Sequence, residues 1–371
     1  MKRVAILTYH KAYNCGAMLQ AWALRRFLES KGCAVVFPDC NSVGVSARWD
    51  FRSLSQVHGF AKIRQFVWLL IWNACSIGYL DYTRYCYRRF QRRELKGPRV
   101  APRNLSAICD TAVIGSDQVW HPIISKADTP LFLGESIPFE LPVLSYAASF
   151  GDDKHPEAVM LRLTNALARF KAVSVREELA VQELLRHGVR SELVVDPTFL
   201  LEAKDYGPLI GPRPIKESYL FVYAVSLSHF VLDSARALAK RKGLKLVICG
   251  VYVRSPFRAP PECIWGVSPE KMVSLIAHAE IVLASSFHGT ALSLIFSRPF
   301  LSLRDSKDTH PTRISMLLDG VGLGERVVDP SKSVDEMLDV LNRPIDWSEV
   351  QMRISKQRFG SVRFLERALD L

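Results

Sequence analysis

The sequence is poor in the signatures that would assign it a ready chemistry. Its eight cysteines (15, 33, 40, 75, 86, 109, 249 and 263) include no C-x-x-C pair and no cysteine–histidine metal spacing. Neither a dithiol redox motif nor a zinc site is therefore indicated. Cys109 and Cys249 stand inside apolar runs and read as small buried hydrophobes, and scattered thiols without a framework suit a reducing compartment. G-x-G-x-x-G is missing, which removes the dinucleotide fingerprint. Phe66 to Leu80 holds fifteen residues without a charge, short of the roughly 20 that a bilayer-spanning helix needs. Val4–Leu7 is too short an apolar core for a signal peptide, so a cytoplasmic protein is expected. No low-complexity segment or internal repeat stands out.

What is present is globular. A hydrophobic share of 49% with 23% charged residues excludes disorder, and 371 residues suggest two domains of ordinary size. The formal charge of +12 invites a nucleic-acid reading, but residues 48–99 alone hold eleven Lys/Arg against three Asp/Glu. An excess so regional favours one basic surface, for lipid or anionic glycan, over a protein that wraps nucleic acid. Within it, Lys62, Arg64, Arg84, Arg88, Arg89, Arg92 and Arg93 flank the apolar run, with Tyr79, Tyr82, Tyr85 and Tyr87 interleaved. Two readings stay open: a shallow anchor at an anionic membrane surface, and an ordinary helical insertion packed on the core.

The order of elements predicts an α/β fold. Val4–Leu7 reads as a buried strand, Ala17–Lys31 as a helix, and Ala34–Phe37 as the next strand, a β-α-β unit of the doubly wound type. Residues 45–100 interrupt it. Strands follow at Thr111–Ile114, Val143–Tyr146, Ala172–Val175 and Leu193–Val195. Gly207–Pro214 is the best linker. A second β-α-β series begins at Tyr219, with a helix from Ser268-Pro269 as N-cap and first helical residue. An apolar stripe from Asp346 onward predicts a final helix.

The stretch Ala279 to Leu292 carries the strongest functional signal. Ile281–Ala284 reads as a buried parallel strand, and Thr290–Phe296 as a buried helix. A strand that passes through Ser285-Ser286-Phe287-His288-Gly289 into a helix start makes an anion site. The first helical N–H groups lack intrahelical partners, and the helix dipole favours negative charge. Gly289 would let the backbone approach a ligand, and His288 adds a donor able to move a proton. A turn that merely caps its own helix fits these residues equally.

In open parallel sheets, ligands bind outside the carboxyl ends of the strands. The remaining polar motifs fall there: Tyr13-Asn14-Cys15-Gly16, Ser116-Asp117-Gln118, Ser149, Arg176 and Arg304. Arg176 suits phosphate or carboxylate by a two-pronged hydrogen bond, or a pair with Glu177 or Glu178. Asp117 could take a proton from a sugar hydroxyl, or hold its own loop as an Asx turn. Asn14 and Gln118 are amides suited to sugar hydroxyls. Tyr13, Trp120 and Phe287 could stack on a sugar face or fill the core. Arg304, His310 and Arg313 are further candidates for the anion.

Several of these segments recur together elsewhere. Asn14-Cys15-Gly16-Ala17-Met18-Leu19-Gln20-Ala21-Trp22-Ala23-Leu24 resembles the opening motif of the polysaccharide pyruvyl transferase family. Ile114–Trp120, Ser145–Gly151, Ser174–Glu177, Val195–Phe199 and Ser286–Gly289 match that family in order, so the resemblance runs from residue 1 to roughly residue 325. One departure is clear: many members carry Arg-Leu-His-Gly where this chain has Ser286-Phe287-His288-Gly289, so one anion-binding arginine is missing.

The resemblance implies two Rossmann-like parallel-sheet domains facing a cleft, a glycosyltransferase-B-like fold. The expected division is 1–205 on the acceptor side with the basic insertion at about 45–100, then 215–345 on the donor side. Residues 346–371 form a final helix that could pack back on the first domain. It also implies transfer from phosphoenolpyruvate, a co-substrate rather than a cofactor, to form a pyruvate ketal on a sugar or a lipid-linked oligosaccharide. His288 and Asp117 are then the expected catalytic pair. Arg176, Ser285, Ser286, Gly289, Arg304 and Arg313 would hold the donor. Tyr13, Asn14, Gly16, Ser116, Gln118, Trp120 and Ser149 would face the acceptor. No metal is required, because arginine, histidine and a helix N-terminus can neutralise phosphate. A nucleotide-sugar glycosyltransferase of the same architecture and a non-catalytic membrane module are the alternatives.

Overall fold

The computed structural model describes residues 1–39, 82–125, 128–151, 155–224, 227–249, 259–304 and 313–371. The expectations placed on residues 45–81 and on His310 lie outside the described residues.

The first half begins with β1 (Arg3–Leu7), α1 (Cys15–Ser30) and β2 (Ala34–Val36), followed by helix α2 (residues 82–94). Then come β3 (Thr111–Ile114), β4 (Val143–Ser145), α3 (Glu157–Leu167), β5 (Ser174–Val175), α4 (Glu178–Arg186) and β6 (Glu192–Leu193). The strands are parallel in the order β2-β1-β3-β4. Val4 pairs with Thr111 and Leu7 with Ile114. The β5–β6 pair extends this edge through isolated bridges, Leu144 to Ala172 and Ala148 to Val175. β1, β3 and β4 are buried apart from Arg3, as expected of strands covered on both faces.

The second half runs β7 (Tyr219–Tyr223), α5 (His229–Lys242), β8 (Lys245–Cys249), β9 (Cys263–Ile264), α6 (Pro269–Ala277), β10 (Ile281–Ala284), α7 (Phe287–Ile295), β11 (Phe300–Leu303), α8 (Arg313–Gly320), β12 (Val327–Val328) and α9 (Val334–Asn342). Its parallel sheet has the order β12-β11-β10-β7-β8-β9. Ser268 caps α6 by accepting the Lys271 N–H, with Pro269 at the first helical position.

One apolar cluster joins the halves. Trp22 of α1 packs on Tyr206, with ring centroids 5.3 Å apart, and Tyr206 meets Phe296 at 5.5 Å. Trp22 and Tyr206 are fully buried, and burying a large apolar side chain contributes roughly 1.5–3 kcal/mol each. The last helix, α10 (Trp347–Leu369), starts at its Asp346 cap and crosses onto the first half. There Arg358 donates to the Phe199 carbonyl, and Lys2 to the Leu369 carbonyl.

Two helix starts differ from the sequence reading, for the same reason. Asn14 accepts the Ala17 N–H and Ser286 accepts the Gly289 N–H, so each caps a helix earlier than expected. Cys15 and Gly16, and likewise Phe287, His288 and Gly289, are therefore first-turn helical residues and not loop. Among the described residues no helix is long and apolar enough to cross a membrane.

Candidate active site

The first turns of α1 and α7 meet across the gap between the two halves. His288 is the second residue of α7, and its ring lies on Gly16, the second residue of α1. A Cβ placed on Gly16 would come within 2.2 Å of the His288 Nδ1. Glycine is required there by this close approach, since the residue is helical and needs no unusual backbone angle. Two positive helix ends thus converge on one imidazole, an arrangement suited to an anion.

Acidic and basic groups complete the site from the carboxyl ends of β5 and β6. Asp196 follows β6 and has 0% of its side chain exposed. Its Oδ2 accepts from the Arg176 Nη1 at 2.7 Å and stands 3.7 Å from the His288 Nε2. Its Oδ1 accepts from the Thr198 N–H at 3.0 Å and hydroxyl at 2.8 Å. Burial pushes this carboxyl up, but His288, Arg176 and the Thr198 N–H outweigh burial and hold it well below the usual carboxylate range. The Nε2 of His288 makes no hydrogen bond among the described residues.

Arg176 is 3% exposed and bonds the Glu177 carboxylate at 3.1 Å as well as Asp196. Burial opposes its charge; Glu177, Asp196 and Asp117 more than offset this. The guanidinium lies 4.7 Å from the Phe287 ring centroid, and its Nη2 has no hydrogen-bond partner among the described residues. Glu177 is raised by burial, countered in part by Arg176 and Arg313. Beside this cluster opens a cavity of about 510 Å³ lined by Arg176, Glu177, Phe287 and Arg313 together with apolar residues such as Leu193 and Met316.

A buried ionic cluster and two converging helix ends could serve several chemistries; the comparison with known proteins decides the family. The sequence model described as polysaccharide pyruvyl transferase matches residues 14–306. The chain belongs to that family. No curated protein matches the sequence.

The architecture is glycosyltransferase-B-like. The UDP-GlcNAc 2-epimerase from Methanocaldococcus jannaschii aligns over 99% of this chain and 100% of its own, at 11% identity and TM-score 0.54. A putative UDP-N-acetylglucosamine 2-epimerase from Listeria monocytogenes aligns over 98% and 94%, at 12% and 0.53. S. aureus MnaA, in a co-structure with UDP, aligns over 100% and 98%, at 12% and 0.52.

In this chain the residues expected from sequence fall into distinct groups. His288, Gly16, Ser286 and Arg176 come together as described, and Arg313 opens α8 on the same cavity. Asp117, Ser116, Gln118 and Ser149 gather at the ends of β3 and β4. One oxygen of Asp117 accepts the N–H of the next residue, Gln118, at 2.9 Å, which ties the carboxylate to its own loop without the two-residue span of an Asx turn, and its charge still acts on Arg176. Ser116 and Ser149 are fully buried. Ser116 donates to the Ala147 carbonyl and Ser149 accepts the Gly151 N–H. Ser116 also stands 3.5 Å from the Asp196 Oδ2 and Ser149 bonds the Glu177 carboxylate, so both back the ionic cluster from within the protein and do not face a sugar. Ser285 uses its backbone N–H on the Tyr223 carbonyl. Arg304 follows β11, its N–H on the Val328 carbonyl.

Three further expectations are corrected. Trp120 is core: its indole N–H donates to the Phe132 carbonyl at 3.0 Å and its ring packs on Phe150 and Phe170, so it offers no face to a sugar. Gly289 does not admit a ligand, since the space a Cβ would need is already occupied by Ala284, Ser286 and Tyr223; glycine here lets α7 pack on its own sheet. Tyr13 is buried against Tyr87, and its hydroxyl accepts from the Arg88 Nε at 3.1 Å, which links the cleft to α2. Asn14 is the α1 cap.

Asp196 and Glu177 were missed as site residues. The signal was present: both follow β-strands at their carboxyl ends, in the segments Val195–Phe199 and Ser174–Glu177.

Proposed function

We propose that this transferase uses phosphoenolpyruvate to place a pyruvate ketal on a sugar. The observation that carries the reading is His288, set where two helix N-termini converge and backed by the buried Asp196–Arg176 pair, in a chain of this family. The helix ends favour the donor's phosphate and carboxylate, and Arg176 Nη2 is a further donor. His288 delivers a proton to the enol methylene, which makes the adjacent carbon oxocarbenium-like. A sugar hydroxyl attacks that carbon, phosphate leaves with its bridging oxygen, and a second hydroxyl closes the ketal, its proton passing to the departing phosphate. Asp117, with one carboxylate oxygen held by Gln118, uses the other to accept the hydroxyl proton.

The test is transfer from ¹³C-labelled phosphoenolpyruvate to a panel of glycans. All three labelled carbons should arrive on the sugar as phosphate is released, and His288→Ala should abolish both. A nucleotide-sugar glycosyltransferase is the alternative. Transfer of a sugar from UDP-sugar, with no transfer of label, would establish it instead.

A further inference from the structure

Helix α2 carries a charged face that the cleft chemistry does not use. Arg84, Arg88 and Arg92 are spaced i, i+4, i+8, and Tyr85, Arg89 and Arg93 form the adjacent row. These positions share one side of a helix. On the other side Thr83, Tyr87 and Phe90 are buried, and the Tyr87 hydroxyl lies 3.0 Å from the Cys15 Sγ; Arg84, at the start of the first row, is buried as well, so Arg88, Arg89, Arg92 and Arg93 carry the exposed charge. Tyr87, one of the residues in the expected membrane-facing belt, is thus part of the core. The arginine rows, with Tyr85, line a cavity of about 690 Å³ among the described residues.

The charges on this face are only partly compensated. Arg93 pairs with Glu94 and with Glu270 of α6. Arg88 is bonded through its Nε to the neutral Tyr13 hydroxyl. No carboxylate lies within ion-pair distance of Arg89 or Arg92 among the described residues, and both are exposed. Like charges one turn apart weaken a helix, so such rows are costly unless an anion joins them. Guanidinium groups around a concavity focus positive potential, and each planar fork matches two phosphate oxygens.

The face also stands at the rim of the cleft. Tyr13 adjoins the α1 cap, and Tyr82 lies on Gly266 of the second half. Through Tyr13, Arg93–Glu270 and Tyr82–Gly266, α2 touches both halves.

We propose that the arginine face of α2 is a second anion site that holds a phosphate or diphosphate borne by the acceptor while its sugar reaches His288. Anion binding stands on α2 alone; its assignment to the acceptor rests on the transferase reading above. The phosphate can belong to a lipid headgroup or to a soluble glycan phosphate, and the guanidinium chemistry is the same.

Calorimetry of the full chain with inorganic pyrophosphate tests the site. Arg89→Gln/Arg92→Gln should weaken binding at least about tenfold, and His288→Ala should leave it unchanged. Phosphoenolpyruvate titrations should respond in the opposite way, which separates a failure of this site from a failure of the cleft reading. Absent pyrophosphate binding, equal affinity in the double variant, or loss in His288→Ala instead would overturn the proposal. Flotation with vesicles of phosphatidylcholine, alone or mixed equally with phosphatidylglycerol, identifies the source. Salt-sensitive flotation with the mixed vesicles only, lost in the double variant, supports a lipid headgroup; pyrophosphate binding without flotation supports a glycan phosphate.

Discussion

The imidazole of His288 occupies the space that a side chain at residue 16 would need, with Nδ1 2.2 Å from the position of a Gly16 Cβ. The two halves of the molecule are therefore in register at the one point where the proposed mechanism aims its proton donor.

Gly16→Ala should consequently impair catalysis without unfolding the protein. Alanine is favoured over glycine in a helix by roughly 0.5–1 kcal/mol, so the melting temperature should hold. The ring of His288 must move, and a misplacement of about 1 Å can reduce turnover roughly 10²-fold. Parallel measurement of melting temperature and kcat checks this; ordinary turnover in Gly16→Ala would show that the contact does not matter.

Asp196→Asn should act mainly on stability. It leaves the buried Arg176 with a single carboxylate partner, and breaking a buried pair costs about 3–5 kcal/mol. Because the folded-state carboxyl is held below its unfolded value, its contribution is present above about pH 4 and is lost as pH falls through the lowered value. Denaturant melts across acid pH should show that loss in the native protein and a flatter profile in Asp196→Asn.

A second titration has a different window. Burial lowers the His10 imidazole to about 4, against the bond from its Nδ1 to the Thr8 carbonyl. A base held neutral in the fold contributes stability above its unfolded value near 6.5, and that contribution is lost as pH falls toward about 4. The loss is on the order of 3 kcal/mol over that range. His10→Gln should flatten the melting temperature between those limits; an unchanged slope would remove His10 as its source.

Trp120→Phe should separate core from site. It strands the Phe132 carbonyl and shrinks a packed ring, which costs roughly 1–3 kcal/mol. Turnover per folded molecule should be unaffected. A selective rise in KM for the acceptor would return Trp120 to the site.

The sequence made the architecture plain because apolar runs such as Val4–Leu7 and Ile281–Ala284 have the length and composition of buried parallel strands. It also located His288, since a strand-to-helix passage is a local feature. What it left open was the partner of each polar group. Ser149, Trp120 and Asp196 look alike as residues near strand ends, and only packing distinguishes a loop support, a core ring and a buried carboxylate beside an imidazole. The role of Gly289 was misjudged for the same reason: whether ligand or protein fills the space beside a glycine depends on contacts distant in sequence. Gly16 and His288 are 272 positions apart, and no local pattern pairs them.

The most direct test of the account is calorimetric titration of phosphoenolpyruvate and of UDP-GlcNAc into the native protein and His288→Ala. The account predicts saturable binding of phosphoenolpyruvate, weakened at least about tenfold, or 1.4 kcal/mol, by the substitution, and no comparable response to UDP-GlcNAc. Saturable binding of UDP-GlcNAc with none of phosphoenolpyruvate would contradict it.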